Sequence, residues 1–282
     1  MTVALRPTSL SEALDALGAN GAVAVAGCTD LMVVDHAPAR AHATVVDLSR
    51  LPELRGVRED SGGLWIGAAT TFAELRESKL VRERFPIVAE MAGTIGALQI
   101  QNRATVGGNI ANASPAGDSL PVWMALDAEV EIAGRSGSRR VPYDEMHRAY
   151  RETALAPGEL IVGLRLPAAD EALEQRFRKV GTRAAQAISK VVVALAARVH
   201  GDELHGLRIA AGSVAPTPVR LRAAEALVEG QPLTPDLAAA AGLAAAREVT
   251  PIDDVRSTAD YRRFVLARTV RRMLLACQGG EA

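Results

Sequence analysis

Cysteine is almost missing from this chain. Its 282 residues hold two thiols, Cys28 and Cys277, which form neither a Cys-x-x-Cys pair nor a disulfide framework. Two thiols cannot supply the four ligands of an ordinary iron–sulfur cluster or of a Cys-rich structural zinc site. Any cluster that serves this protein is therefore expected on another chain. Long apolar runs are missing too. No uncharged stretch reaches the length of a bilayer span, and the opening Met-Thr-Val-Ala-Leu-Arg-Pro-Thr-Ser lacks the apolar centre of a secretory signal. The expected location is the cytoplasm. There is no excess of one charge sign: the formal charge is −1, and Arg is interleaved with Asp and Glu. That excludes the electrostatic footprint of a nucleic-acid binder and predicts a mixed, solvated surface.

The common nucleotide and catalytic motifs are absent as well. No Gly-x-Gly occurs, which removes the Rossmann fingerprint and the kinase glycine loop. There is no P-loop and no Gly-x-Ser-x-Gly. His200 and His205 are spaced to mark a hairpin around Gly201-Asp202, not to place two metal ligands on one helix face. His36, His42 and His147 have no recognisable metal partners, and no metal site is expected. Nothing pairs a nucleophile with a base. Cys28 lacks a neighbouring basic residue to activate it and reads as a small packed residue.

What is present is a chain long enough for two or three domains, with ordinary globular composition. Ser9 and Glu12 form a capping-box pattern ahead of Leu10, Ala13, Leu14 and Leu17, with Gly18 as the stop. Ala22–Ala26 reads as a buried strand that breaks at Gly27-Cys28-Thr29-Asp30 before the apolar pattern resumes over Leu31–Val34. Thr44–Leu48 and Leu64–Ala68 read as strands, Thr71–Leu75 as a capped helix start, and Pro86–Met91 as a helix with proline in its first turn. Asp127–Ala133 and Leu160–Leu166 follow as strands, and Asp170–Glu174 as a polar linker. Beyond it come the apolar run Ile188–Val199, a strand at Leu207–Val214, and helices at Ala223–Glu229 and Asp236–Glu248. A last helix has Phe264, Ala267, Val270, Leu274 and Cys277 close to one face. Trp65 and Trp123 are expected in the core. The pattern is α+β.

One segment concentrates small polar residues. Thr105–Pro121 holds a Gly pair, two Asn, two Ser and an Asp, and no Lys, Arg or His. Gly107-Gly108 would permit positive φ and close approach to a ligand, and successive freed amides form a nest for a phosphate oxygen. A Gly-rich turn with satisfied side chains fits the local chemistry equally well. Asp30 and Asp118 follow Gly-containing loops, where ordinary turn capping competes with ligand binding.

Val25-Ala26-Gly27-Cys28-Thr29-Asp30-Leu31, taken with Ile100 through Pro115, resembles the FAD-binding medium subunit of the xanthine dehydrogenase family of molybdenum hydroxylases. Tyr150–Thr153, Pro157–Ile161 and Lys179–Lys190 continue the likeness, which covers nearly the whole chain. It implies a flavin fold of the vanillyl-alcohol-oxidase, or PCMH, type in two α+β subdomains, followed by a small α+β flavoprotein C-terminal domain. The implied boundaries are 1–55, 56–172 and 173–282.

The same likeness implies that Val25 to Leu31, with Thr105, Gly107, Gly108 and Asn109, hold the FAD pyrophosphate. Ser114 and Asp118 join the cofactor site. Ile95 stands where some members have an aromatic ring, Ile161 matches an apolar flavin contact, and Lys179 a basic residue near the isoalloxazine edge. Cys28 replaces the Gly or Asn more usual in the first loop. No Cys-bearing insertion is present, unlike the 4-hydroxybenzoyl-CoA reductase branch.

The function implied is electron transfer within a heterotrimer. A large subunit carries the molybdenum cofactor, a small one two [2Fe–2S] clusters, and this chain FAD, which passes electrons to NAD⁺ or another acceptor. Gly181–Lys190 leans towards the xanthine dehydrogenase branch. A self-contained flavin oxidase or reductase of the same fold, and an assembly subunit without flavin, are the alternatives.

Overall fold

The computed structural model describes residues 3–18, 21–31, 44–61, 63–168 and 172–279. The expectations at Val34, His36 and His42, and part of those at Leu31–Val34 and Asp170–Glu174, lie outside them. Among the described residues the chain opens with three strands and a helix. Strands β1 (Val3–Leu5), β2 (Ala22–Val25) and β3 (Thr44–Asp47) form a parallel sheet in the order β1-β3-β2. Helix α1 (Leu10–Leu17) packs beside it. Ser9 caps α1 as expected, accepting from the Glu12 amide. The Glu12 carboxylate reaches back one residue further, to the Thr8 amide at 2.7 Å.

A second, antiparallel sheet has the order β4-β5-β10-β6-β7. Its members are β4 (Val57–Asp60), β5 (Gly63–Gly67), β6 (Glu129–Gly134), β7 (Gly137–Pro142) and, after a short β8 (His147–Ala149)/β9 (Glu152–Thr153) hairpin, β10 (Leu160–Leu166). Six short helices stand between β5 and β6. They are α2 (Phe72–Glu77), α3 (Lys79–Arg84), α4 (Pro86–Thr94), α5 (Leu98–Gln101), α6 (Val106–Asn112) and α7 (Leu120–Ala125). Thr71 and Glu74 close a full capping box at α2. Strand β10 shows how the layers stack. Leu160 and Val162 join the core shared with α1, while Ile161, Leu164 and Leu166 join the larger core under the helices.

The third unit is an antiparallel sheet in the order β11-β12-β13-β14, from β11 (Glu174–Val180), β12 (Val191–His200), β13 (Glu203–Gly212) and β14 (Val219–Arg220). Helices α8 (Arg222–Val228), α9 (Pro235–Arg247) and α10 (Ala259–Ala276) cover one face. Strand β12 is apolar over Val191–Ala197, where both faces are buried. Val191, Val193 and Leu195 face the α8–α10 core, whereas Val192, Ala194 and Ala196 face the core of the middle layer. His200 and His205 flank the hairpin turn at Gly201, which has φ +65°.

Several expectations need correction. Thr105–Pro121 is not one loop: it contains α6 and the start of α7. Asp127 precedes β6 with φ +47° and is not part of the strand. In α10 the buried face runs through Arg262, Leu266, Val270 and Leu274, leaving Phe264 exposed. Trp65 and Trp123 lie in the core as expected.

His147 is buried beside Tyr143, with Nε2 3.2 Å from the phenol oxygen, and burial holds its pKa down to about 4 from 6.5. The unfolded chain binds this proton first as pH falls. His147 therefore contributes fully above pH 6.5 and loses its contribution towards pH 4, a span equivalent to roughly 3 kcal/mol. Arg139 holds Glu159 at about 2, so that contribution disappears only at lower pH. Urea unfolding across the pH 6.5–4 window should show a falling stability in the parent protein. In His147→Gln the slope over that window should be largely flattened, with the more acidic loss retained.

Candidate functional site

The first loop leaves the carboxyl end of β2 and carries Ala26 to Leu31. Cys28 sits at φ +60°, in the left-handed region. A residue with a Cβ there costs about 1 kcal/mol, and Gly or Asn accepts it more readily. The amides of Gly27, Cys28, Thr29 and Asp30 donate to no described residue. Successive unengaged amides about a left-handed residue make an anion-binding concavity. Burial raises the Cys28 thiol pKa, against a downward pull from Arg103, so the thiol stays protonated and packs, with Sγ 3.6 Å from the Ala26 carbonyl.

Gly27 has a different task. A Cβ there would lie 2.0 Å from the Arg103 carbonyl oxygen, so only glycine lets this loop press against the backbone that leads into α6. Arg103 Nε returns the contact, donating to the Gly27 carbonyl at 3.3 Å.

The second segment is built otherwise than expected. Neither Gly107 nor Gly108 has positive φ. Thr105 caps α6, its hydroxyl accepting from the Gly108 amide. The Val106 amide donates to Thr70, Gly107 to Ala68 and Asn109 to the Thr105 carbonyl. These amides are engaged within the fold, unlike those of the first loop, so they do not form the expected nest. Gly107 is instead a packing glycine, since its Cβ would fall 2.7 Å from that of Ala68. Gly108 is exposed, and a Cβ there would meet only the Thr105 hydroxyl oxygen. It leaves a bare patch of helix backbone open to close approach. Asn109 Oδ1 accepts from Ser119, whose hydroxyl in turn accepts from the Trp123 indole. Ser114 caps the tight turn that follows, with Gly117 N–H donating to its carbonyl.

Arg151 is a residue that sequence reasoning gave no role. It occupies the tip of the β8/β9 hairpin with φ +55°. Its guanidinium donates to Asn112 Oδ1 at 3.1 Å and stands 3.9 Å from the Asp30 carboxylate. It thus clasps the end of α6 to the first loop. The signal was faint: one Arg within a matched stretch, with no local partner.

Asp118 and Lys179 meet elsewhere, in the seam between the middle unit and β11. Lys179 Nζ donates to Asp118 Oδ2 at 2.6 Å and to the Thr94 carbonyl at 2.9 Å, and Ser189 donates to Asp118 Oδ1. Both charged side chains are about a tenth exposed. Burial raises the Asp118 pKa, opposed by the Lys179 charge and the Ser189 hydroxyl. Lys179 is therefore neither a free surface charge nor a free cation. Ile95, next to Thr94, is nearly buried, and Gln186 N–H donates to the carbonyl of Gly96 beyond it. Ile161 is 3% exposed within the main core, which leaves it almost no surface for a cofactor. The structure thus joins the first loop to α6 and Asp118 to Lys179, and sets Ile161 apart in the interior.

Residues 1–169 match the family model for the FAD-binding domain in molybdopterin dehydrogenase, and residues 176–277 that for the CO dehydrogenase flavoprotein C-terminal domain. The chain belongs to this FAD-binding medium-subunit family. The carbon monoxide dehydrogenase medium chain of Hydrogenophaga pseudoflava is 33% identical over 96% of this chain and 94% of its own length. The xanthine dehydrogenase FAD-binding subunit of Escherichia coli O157:H7 is 30% identical over 98% and 97%. Among solved structures, carbon monoxide dehydrogenase from Hydrogenophaga pseudoflava lacking the Mo-pyranopterin moiety superimposes with a TM-score of 0.93. That match has 32% identity and covers 98% of this chain and 96% of the other. The fold expected from the sequence is therefore present, and FAD is the cofactor of this oxidoreductase subunit. The donor set fits the group: unengaged amides around Cys28 suit a phosphate, and the bare Gly108 patch admits it closely. Among the described residues no helix is long and apolar enough to cross a membrane.

The Asp118–Lys179 pair makes a sharp prediction. Lys179→Met leaves a buried carboxylate without its cation and should lower unfolding free energy by about 3–5 kcal/mol. Adding Asp118→Asn should recover most of that loss, since the pair is then removed whole. Denaturant unfolding of the flavin-free protein tests this, and an equal or larger loss in the double variant contradicts it.

Proposed function

We propose that this chain is the electron-output subunit of a heterotrimeric molybdenum hydroxylase of the cytoplasm, divided at 1–55, 56–172 and 173–282. In this reading a large partner subunit oxidises the substrate at a molybdenum cofactor. A small partner subunit with [2Fe–2S] clusters delivers the electrons, and NAD⁺ or another acceptor receives them. FAD, when bound, supplies the exchange between one- and two-electron carriers.

The observation that carries the reading is the first loop: four amides around a left-handed Cys28 that donate to no described residue, pressed against α6 by Gly27. Gly27 to Asp30 would hold the cofactor's phosphates, with Val25, Ala26 and Leu31 setting the loop's ends. Thr105, Gly107 and Asn109 would act one step back, fixing α6 so that Gly108 offers its bare surface. Arg151 would hold the two walls together and add positive charge beside the phosphates. Ser114 would shape the turn at the far end of α6. Lys179 and Asp118 would act as positioning residues for Thr94 and Ile95, not as free charges. The relatives include both a CO dehydrogenase and a xanthine dehydrogenase subunit at similar identity, so the lean towards the xanthine branch finds no further support here.

The purified chain should show a flavin spectrum that NADH bleaches. Gly27→Val should be colourless after purification and fail to load added FAD, because its side chain collides with the Arg103 backbone. Cys28→Gly, which relieves about 1 kcal/mol of backbone strain, should retain FAD at least as well as the parent. Bleaching by dithionite but not by NADH would remove NAD⁺ as acceptor, and full FAD occupancy in Gly27→Val would contradict the first-loop site.

A further inference from the structure

A long groove lies apart from the first loop and α6. It encloses about 800 Å³ and runs between β11 on one side and α10 on the other, with Glu90 of α4 at its wall. Strand β11 is an edge of its sheet, paired only with β12. Among the described residues no backbone hydrogen bond reaches its outer side. The seven residues of β11 extend about 20 Å. The stretch of α10 along the groove is about as long, so the cleft has the proportions of an extended chain and not of a compact ligand.

Its lining is strongly cationic. Arg178, Arg271 and Arg272 line it, and each makes no ion pair with a described residue. Arg268 lies over the ring of Phe264, which is 59% exposed. Arg176 is already engaged, by Glu174 and the Ala276 carbonyl. Among the described residues Glu90 is the one carboxylate of the lining. The expectation of evenly mixed charge therefore fails here: Arg268, Arg271 and Arg272 recur at helical spacing, and the fold adds Arg178 opposite them. Gln175 Oε1 is buried and accepts no hydrogen bond from a described residue, although its Nε2 is fixed on the Arg84 carbonyl.

We propose that this groove receives an extended, carboxylate-rich segment of a partner subunit, which adds to β11 as a further strand. The proposal rests on the multi-subunit reading above. Main-chain bonds along the open edge supply affinity, and the pairing of alternate side chains supplies specificity. Carboxylates on the segment meet Arg178, Arg268, Arg271 and Arg272, and an apolar residue between them covers Phe264. The arginines also keep the open edge from pairing with other copies of the same chain while no partner is bound.

Hydrogen exchange of residues 174–180 should be compared in the free chain and in the complex purified from cells that co-express its partner subunits. The outward amides of β11 should exchange rapidly in the free chain and at least tenfold more slowly in the complex. Arg271→Glu with Arg272→Glu should abolish that protection and shift dissociation of the complex to lower salt. Its melting temperature and flavin spectrum should stay at parental values, since both side chains stand on the outer face of α10. Equal exchange in the two states overturns the proposal, as does protection that survives the double variant. Protection of the free chain by inorganic tripolyphosphate would assign a simple anion site and also overturn it. A chain that purifies without any partner subunit would instead remove the multi-subunit reading, an outcome separable from the rest.

Discussion

Every side chain of helix Leu120–Ala125 is buried, so the short helix has no face to give to water. It stands between the middle core and the sheet of the C-terminal unit, and both must be shaped to it. That demand explains the composition of the strands that cover it. Strand β12 turns Val192, Ala194 and Ala196 towards the middle core, and β13 adds Ala210. Small residues let the sheet approach a helix closely, and burial on the second face requires Val191, Val193 and Leu195 there. Gly212 completes the fit, since a Cβ would fall 2.9 Å from Pro121. The apolar stretch that marks this region is a consequence of double-sided burial. The Asp118–Lys179 pair lies just ahead of the helix and gives the same seam a fixed register: a buried charge tolerates no slippage from its partner.

The cleft proposed for the flavin follows from how two backbones are allowed to touch. Glycine is used here mainly for closeness. Gly27 and Gly107 each occupy places where any Cβ meets main chain or a neighbouring Cβ. Positive φ, the property for which glycine is usually read, falls on Cys28, Ala113 and Arg151. Ser61, Asp127, Gln186 and Ser213 also have positive φ, but at Cys28 it accompanies amides that donate to no described residue. Strain held by surrounding structure at a binding loop is a common arrangement. Here Arg103 and Arg151 are the groups that hold it.

What the sequence disclosed depended on the range of the interaction. Local signals were readable. Ser9 and Thr71 cap their helices, the Gly201 hairpin turns where its polar residues stand, and β12 follows its apolar run. Helix α6 was not readable, because Gly-Gly-Asn is poor helix sequence. It forms because Thr70, Ala68 and Thr105 accept its first amides, and two of these are far along the chain. The Lys179–Asp118 contact spans 61 positions, so neither residue shows its partner locally. The family likeness located both loops, but it could not say which of them kept its amides unengaged. That depends on tertiary hydrogen bonds alone.

Helix α10 shows how one element can carry two kinds of charge. Arg262 is 4% exposed. It donates to the carbonyls of Lys190 and Ser213 and to Asp254. Burial opposes ionisation of Asp254, yet bonds from Arg256 and the Arg262 charge hold its pKa at about 2. This arginine is structural: it joins the helix to the ends of β12 and β13. A turn or more away, Arg268, Arg271 and Arg272 stand without carboxylate partners among the described residues. A helix so anchored cannot rotate to spread its charge, because rotation would break three buried bonds. The cationic wall along β11 is therefore a fixed feature of the fold and not a fluctuation of long side chains. A net charge of −1 conceals it because the balancing acids lie on other faces.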